Sequence, residues 1–136
     1  MPIQFVSQDI SFSLKKKSAV KKLILFIIKK EKKEAGEIIF NFCSDKYLLE
    51  INKKFLKHNT LTDIVTFQYP SKNISSEIFI SIPRVKENSK NFDTPFEDEL
   101  HRVMIHGVLH LCGYKDKTGK QKKEIRKKEN YYLSMK

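Results

Sequence analysis

Apolar and polar positions alternate over residues 3–12, a period of two that predicts a first β-strand. Over residues 14–35 the period lengthens. Val20, Leu23, Ile24, Ile27 and Ile28 recur at helical spacing among lysines, and Gly36 is placed to cap this helix with a left-handed backbone. Residues 37–43 (EIIFNFC) form a short apolar run that reads as a buried strand. Ser44 or Asp45 then offers a cap for a second helix, with Leu48, Leu49, Ile51, Asn52, Phe55 and Leu56 on its inner side. Residues 62–67 (TDIVTF) and 77–82 (EIFISI) are β-branched and aromatic, predicting two strands, the second stopped by Pro83. A short helix is expected over 85–91.

Thr94-Pro95 followed by Glu97, Asp98 and Glu99 marks a strong helix start, because acids favour the positive end of the helix dipole. That helix should run to about Leu111 and break at Gly113, and a basic helix over 120–133 closes the chain. Strands alternate with helices while the central two strands are neighbours. The expectation is an α+β fold, a small mixed sheet packed with helices, in one domain spanning residues 1–136.

Composition adds partners to this picture. The 136 residues are 40% hydrophobic with ten Phe, enough for a packed core. Lys and Arg number 27 against 16 Asp and Glu, a formal net charge of +11 that attracts polyanions, nucleic acid foremost. An overall lysine-rich composition would give the same surplus, so charge alone does not decide the partner. Cys43 and Cys112 form neither a disulfide framework nor a CxxC pair and read as buried thiols in a reducing compartment. The longest apolar run, residues 23–28, is too short to span a bilayer, and no signal-peptide pattern surrounds it. A cytoplasmic protein with no membrane partner is expected.

The densest chemistry is HGVLHLCGYKD, residues 106–116. At about 100° per residue, His106 and His110 point within about 40° of each other. They flank a core-facing stripe of Leu100, Val103, Met104, Gly107, Val108 and Leu111. Neutral imidazoles at this spacing can share one Zn²⁺, and Gly113 lets the chain turn back so that Asp116 can supply a third ligand. Three protein ligands leave a position for water, whose pKa such a metal lowers to around 7. Two histidines four apart also occur as packing or surface residues. His101 and Cys112 point away from the pair.

HGVLHLCGYKD resembles the signature of the YbeY family of bacterial endoribonucleases, usually H-G-x-L-H-L-x-G-Y-D-H. Ile51-Asn52 and Thr62-Asp63-Ile64-Val65-Thr66-Phe67 are similar to the family's L-N and T-D-V-L-S-F, and Glu77 falls where an acidic residue opens a strand. The resemblance implies a metalloproteinase-like α+β fold holding one zinc near the C-terminus. It implies an endoribonuclease acting in ribosomal RNA maturation at the small-subunit 3′ end and in ribosome quality control. RNA and the small ribosomal subunit would be its partners.

Two departures bear on the chemistry. The family's third histidine falls on Asp116, and the Asp before it is Lys115. An anionic donor lowers the net charge of the site and should raise the pKa of a metal-bound water. The family's arginine falls on Leu56, which cannot bind a phosphate. Lys57 and His58 are the nearest substitutes, His58 as a proton donor, a phosphate contact or simply a helix-cap residue. Arg84 is a further candidate for phosphate. In HExxH peptidases a glutamate base follows the first histidine. Here that residue is Gly107, and Glu99, two turns earlier, is too distant along the helix to replace it. A metal-dependent peptidase and a non-catalytic RNA-binding protein with a structural metal stand as the alternatives.

Overall fold

The computed structural model describes residues 3–56 and 62–136, so Lys57 and His58 lie outside the described residues. The chain runs β1 (Ile3–Ser7), α1 (Lys17–Lys30), β2 (Ala35–Cys43), α2 (Asp45–Leu56), β3 (Ile64–Tyr69), β4 (Ile74–Ser81), α3 (Ile82–Asn91), α4 (Phe96–Leu111) and α5 (Gly119–Leu133). The four strands lie in the order β1-β2-β4-β3. β1, β2 and β4 are parallel, with Phe5 opposite Phe40 and Phe40 opposite Ile78. β3 returns antiparallel to β4, with Val65 opposite Phe79. This is the expected α+β architecture with a mixed sheet.

Strand periodicity sorts the sheet into two faces. Ile38, Phe40 and Phe42 of β2, with Ile78 and Ile80 of β4, point into the main core, where they meet Ile24 and Ile28 of α1, Val108 of α4 and Tyr132 of α5. Cys43, Val65 and Phe79 point the other way and pack on Leu48 of α2. Helix α4 is therefore buried between the sheet and its neighbouring helices. Gly107 makes its approach to the sheet possible, because a Cβ there would lie 2.8 Å from Ile64 Cδ1 and 3.5 Å from Thr66 Cγ2.

Several boundaries differ from the sequence expectation. β1 ends at Ser7 rather than reaching residue 12, where the Ser7 hydroxyl instead donates to the Phe12 carbonyl. Helix α1 starts at Lys17 and closes at Glu31, and Lys32, not Gly36, takes the left-handed conformation at φ 62°. Gly36 belongs to β2. A Cβ there would collide with Ser75 Oγ and come within 2.9 Å of the Ile74 carbonyl, so glycine permits close strand approach instead of a cap. Pro83 lies inside the first turn of α3, a position that tolerates its missing N–H, and Ser81 caps that helix by accepting the Arg84 N–H at 3.2 Å.

Candidate metal centre

Helix α4 presents two imidazoles side by side. The His106 and His110 rings meet edge to face with centroids 4.5 Å apart, and their Nε2 atoms are separated by 2.9 Å. The chain leaves the helix at Gly113, whose φ of 108° favours glycine, and the Tyr114 N–H closes the turn on the Leu109 carbonyl at 3.0 Å. The loop brings Asp116 back over the helix end. Its Oδ2 sits 3.3 Å from His106 Nε2 and 3.5 Å from His110 Nε2. Among the described residues this is the one set of His, Cys, Asp or Glu donors converging within 4.8 Å.

The donor set fits a four-coordinate ion. Tetrahedral zinc with bonds of roughly 2.0–2.2 Å holds its donors about 3.4 Å apart, close to both nitrogen–oxygen distances found here. The donors are two imidazole nitrogens and one carboxylate, a composition common to zinc and other first-row metals.

Behind the cluster stands a residue that sequence reasoning missed. Glu129 of α5 is 3% exposed, and its Oε2 accepts the His106 Nδ1–H at 2.6 Å. A carboxylate on one ring nitrogen fixes the tautomer so that the other nitrogen's lone pair faces the cluster. Arg102 in turn holds Glu129 Oε1 at 3.1 Å, with Arg126 at 3.8 Å. Burial pushes the Glu129 carboxyl upward, but the hydrogen bond and charge of His106, with both arginines, outweigh it and hold it below the usual range. Burial likewise opposes a charged His106, yet Glu129, Asp116 and Asp63 raise its pKa on balance.

The cluster forms a wall between two cavities. One, about 390 Å³, is lined by His106, Asp116, Asp63, Glu99, Phe92 and Arg126 among others. The second, about 500 Å³, adds His110, Asn52, Leu56, Thr62 and Thr66. Leu56, the position of the family's arginine, thus borders the cluster without supplying a cation. Arg84 lines neither cavity; its guanidinium donates to Asp45 Oδ2 at 3.0 Å while its Nε has no partner among the described residues. Asp63 and Glu99 are both raised from the ordinary carboxyl value, chiefly by burial. His101 is absent from both walls, its Nδ1 lying 2.8 Å from Lys136 Nζ. Burial pushes the Cys43 thiol up to about 12 and that of Cys112 to about 11, so neither is a ready nucleophile or ligand.

The architecture is thus an α+β sheet protein in which a buried helix and the loop after it display two histidines and a carboxylate beside a cleft. The sequence matches the model of the Endoribonuclease YbeY family over residues 3–135. It is 46% identical to the Endoribonuclease YbeY of Flavobacterium psychrophilum over 93% of this chain and 91% of that one. It is 44% identical to the Cytophaga hutchinsonii enzyme of the same name, over 98% and 94% of the two chains. The solution structure of TM1509 from Thermotoga maritima superposes with a TM-score of 0.64 at 30% identity, covering 96% of this chain and 86% of that one. The chain belongs to the Endoribonuclease YbeY family.

Proposed function

We propose that the protein is a zinc-dependent endoribonuclease, cutting single-stranded RNA as part of small-subunit ribosomal RNA 3′-end maturation and ribosome quality control. The observation that carries this reading is the convergence of His106 Nε2, His110 Nε2 and Asp116 Oδ2, with Glu129 fixing one imidazole from behind. When bound there, zinc would supply Lewis-acid polarisation of a phosphoryl oxygen and a lowered pKa for water. The remaining work falls to the chain. Glu129 holds the Nδ1 proton of His106, and Arg102 restrains Glu129. The reading takes residues 1–136 as one domain acting in the cytoplasm; no described helix is long and apolar enough to cross a membrane.

Substrate attraction comes from outside the cluster. Lys115, Lys117, Lys120, Lys122, Lys123, Arg126, Lys127 and Lys128 follow the Asp116 turn or flank it, forming a basic approach for the phosphate backbone. Lys57 and His58 are further candidates for phosphate contact, His58 also for protonating the leaving oxygen, whereas Arg84 would have to leave Asp45 to join them. The peptidase alternative is less well supported, since position 107, where an HExxH base would stand, faces Ile64 of the sheet rather than a cavity. The test is cleavage of single-stranded and duplex RNA by zinc-loaded wild type and His110→Ala, with zinc measured in both. Single-strand cleavage lost together with zinc is the expected result; equal cleavage by both proteins would refute the assignment.

A further inference from the structure

The 390 Å³ cavity beside the metal cluster contains more than the cluster requires. Phe92, the residue closing α3, lines it and is 61% exposed. On its wall is Glu99 of α4, 6% exposed, whose carboxylate makes no hydrogen bond or ion pair among the described residues. Lys122 and Arg126 of α5 also line it. A lone exposed phenylalanine needs no explanation, and an acidic residue near a cleft is ordinary. A carboxylate on a nine-tenths buried residue, hydrogen-bonded to none of the described residues, is different: its oxygens keep solvent access through the cavity they line, where donors of a bound ligand can reach them. Arg102, the nearest cation on its own helix, is already engaged with Glu129.

Resting on the endoribonuclease reading, we propose that this cavity is a guanine subsite for a nucleotide next to the cut bond. Phe92 stacks on the base, Glu99 accepts from its edge, and Lys122 and Arg126 meet the adjoining phosphate. Single-stranded RNA is read in this manner, through unstacked bases laid on aromatic rings and hydrogen-bonded along their Watson–Crick edges. The base follows from the acceptor. An ionised carboxylate offers two acceptors and no donor. Guanine presents its N1–H and N2 amino donors side by side, matching both oxygens. Adenine and cytosine place a ring-nitrogen acceptor next to their amino group, and uracil flanks its one N–H with carbonyls, so each would set a lone pair against Glu99. Seven residues separate Glu99 from His106, about 10.5 Å along the helix, comparable to the reach from a phosphate to the far edge of its base. Burial raises the Glu99 carboxyl, with Asp63 and Glu129 adding to the effect against Arg102 and Arg126, as expected of a carboxylate lacking donors.

The test uses the purified, zinc-loaded protein and the four nucleoside 5′-monophosphates, followed by NMR titration. The wild type should bind guanosine monophosphate about ten-fold more tightly than the other three. Glu99→Gln, left with a single acceptor, should lose that preference, while Phe92→Ala should weaken all four by about ten-fold and Phe92→Tyr should restore them. Cleavage of RNA oligomers carrying each base beside the cut then shows the same preference in rate. Equal binding of the four nucleotides by the wild type overturns the subsite, whatever the folding of the variants. So does a preference that survives in Glu99→Gln. Selective guanine binding without any RNA cleavage would uphold the subsite and refute the endoribonuclease reading, so the two failures are distinct.

Discussion

Glu129 Oε2 lies 2.6 Å from His106 Nδ1, joining helix α5 to the donor cluster at the end of α4. The contact is part-buried, charge-assisted and anchored by Arg102 at 3.1 Å. Removing the carboxylate frees the imidazole to rotate and to choose the wrong tautomer. Glu129→Gln is expected to lower zinc affinity by about 10–100-fold, measured by competition with a chromophoric chelator. An affinity equal to that of the wild type would reduce Glu129 to a packing residue.

Asp116 poses a question of donor chemistry. Asp116→Ala should strip the site of its third donor and leave substoichiometric zinc after dialysis. Asp116→His substitutes a neutral donor for an anionic one, returning the residue that the family signature usually carries. More positive charge then remains at the metal, so the acid limb of the pH–rate profile for RNA cleavage should move to lower pH. Zinc content by elemental analysis and rates between pH 5 and 9, roughly the range over which such a metal-bound water titrates, check both expectations. Full zinc occupancy in Asp116→Ala would remove this residue from the ligand set.

Position 107 separates this site from a zinc peptidase on steric grounds. Gly107→Ala pushes a Cβ to 2.8 Å from Ile64 Cδ1, which can move, and alanine recovers about 1 kcal/mol of helix propensity. Its net effect on stability should be small. Gly107→Glu, which writes the HExxH motif into the chain, instead drives a charged side chain between α4 and the sheet. A loss of about 3 kcal/mol or more is expected in urea denaturation, with no gain of peptidase activity. A stable variant that cleaves peptides would show that the position opens onto the site.

These residues also show what could be read from the chain. His106, His110 and Asp116 were legible because helical geometry and one glycine turn bring them together within eleven residues. The mixed sheet was legible because β2, β3 and β4 are short β-rich runs bounded by turn-forming residues. Glu129 was not, since it sits 23 residues from His106 in a helix crowded with lysines and looks solvated. A signal was present nonetheless: Ile125, Glu129 and Tyr132 recur at helical spacing, and all three are buried. Glu99 was dismissed on distance along its own helix, but cavities gather residues by direction as well as by distance. Gly36 misled because it follows a lysine-rich helix, where a glycine cap is commonplace. Lys32 absorbed the left-handed turn instead, and only the position of Ser75 on the neighbouring strand explains the glycine.

The loop carrying Asp116 is tied to the far end of α1 by Glu31. Its carboxylate accepts from the Tyr114 hydroxyl at 2.8 Å, from the Tyr132 hydroxyl, and from Lys128 Nζ at 3.4 Å. Burial pushes this carboxyl upward, but the two tyrosines and Lys128 prevail and hold it below its ordinary value of 4.5. A carboxyl whose pKa falls on folding stabilises the protein above its unfolded pKa, and that contribution is lost as pH drops through the folded value. Glu31→Gln keeps one acceptor oxygen but loses the charge, and should cost roughly 1–2 kcal/mol at pH 7. The gap between wild type and variant should hold down to about pH 5 and narrow progressively as the pH falls below 4.5. Urea denaturation at pH 7, 5, 4 and 3, in a roughly constant salt of about 0.15 M, measures it. Because Tyr114 is two residues from Asp116, zinc affinity at pH 7 should fall with the same substitution. A stability gap independent of pH would mean that the Glu31 charge contributes nothing beyond its shape.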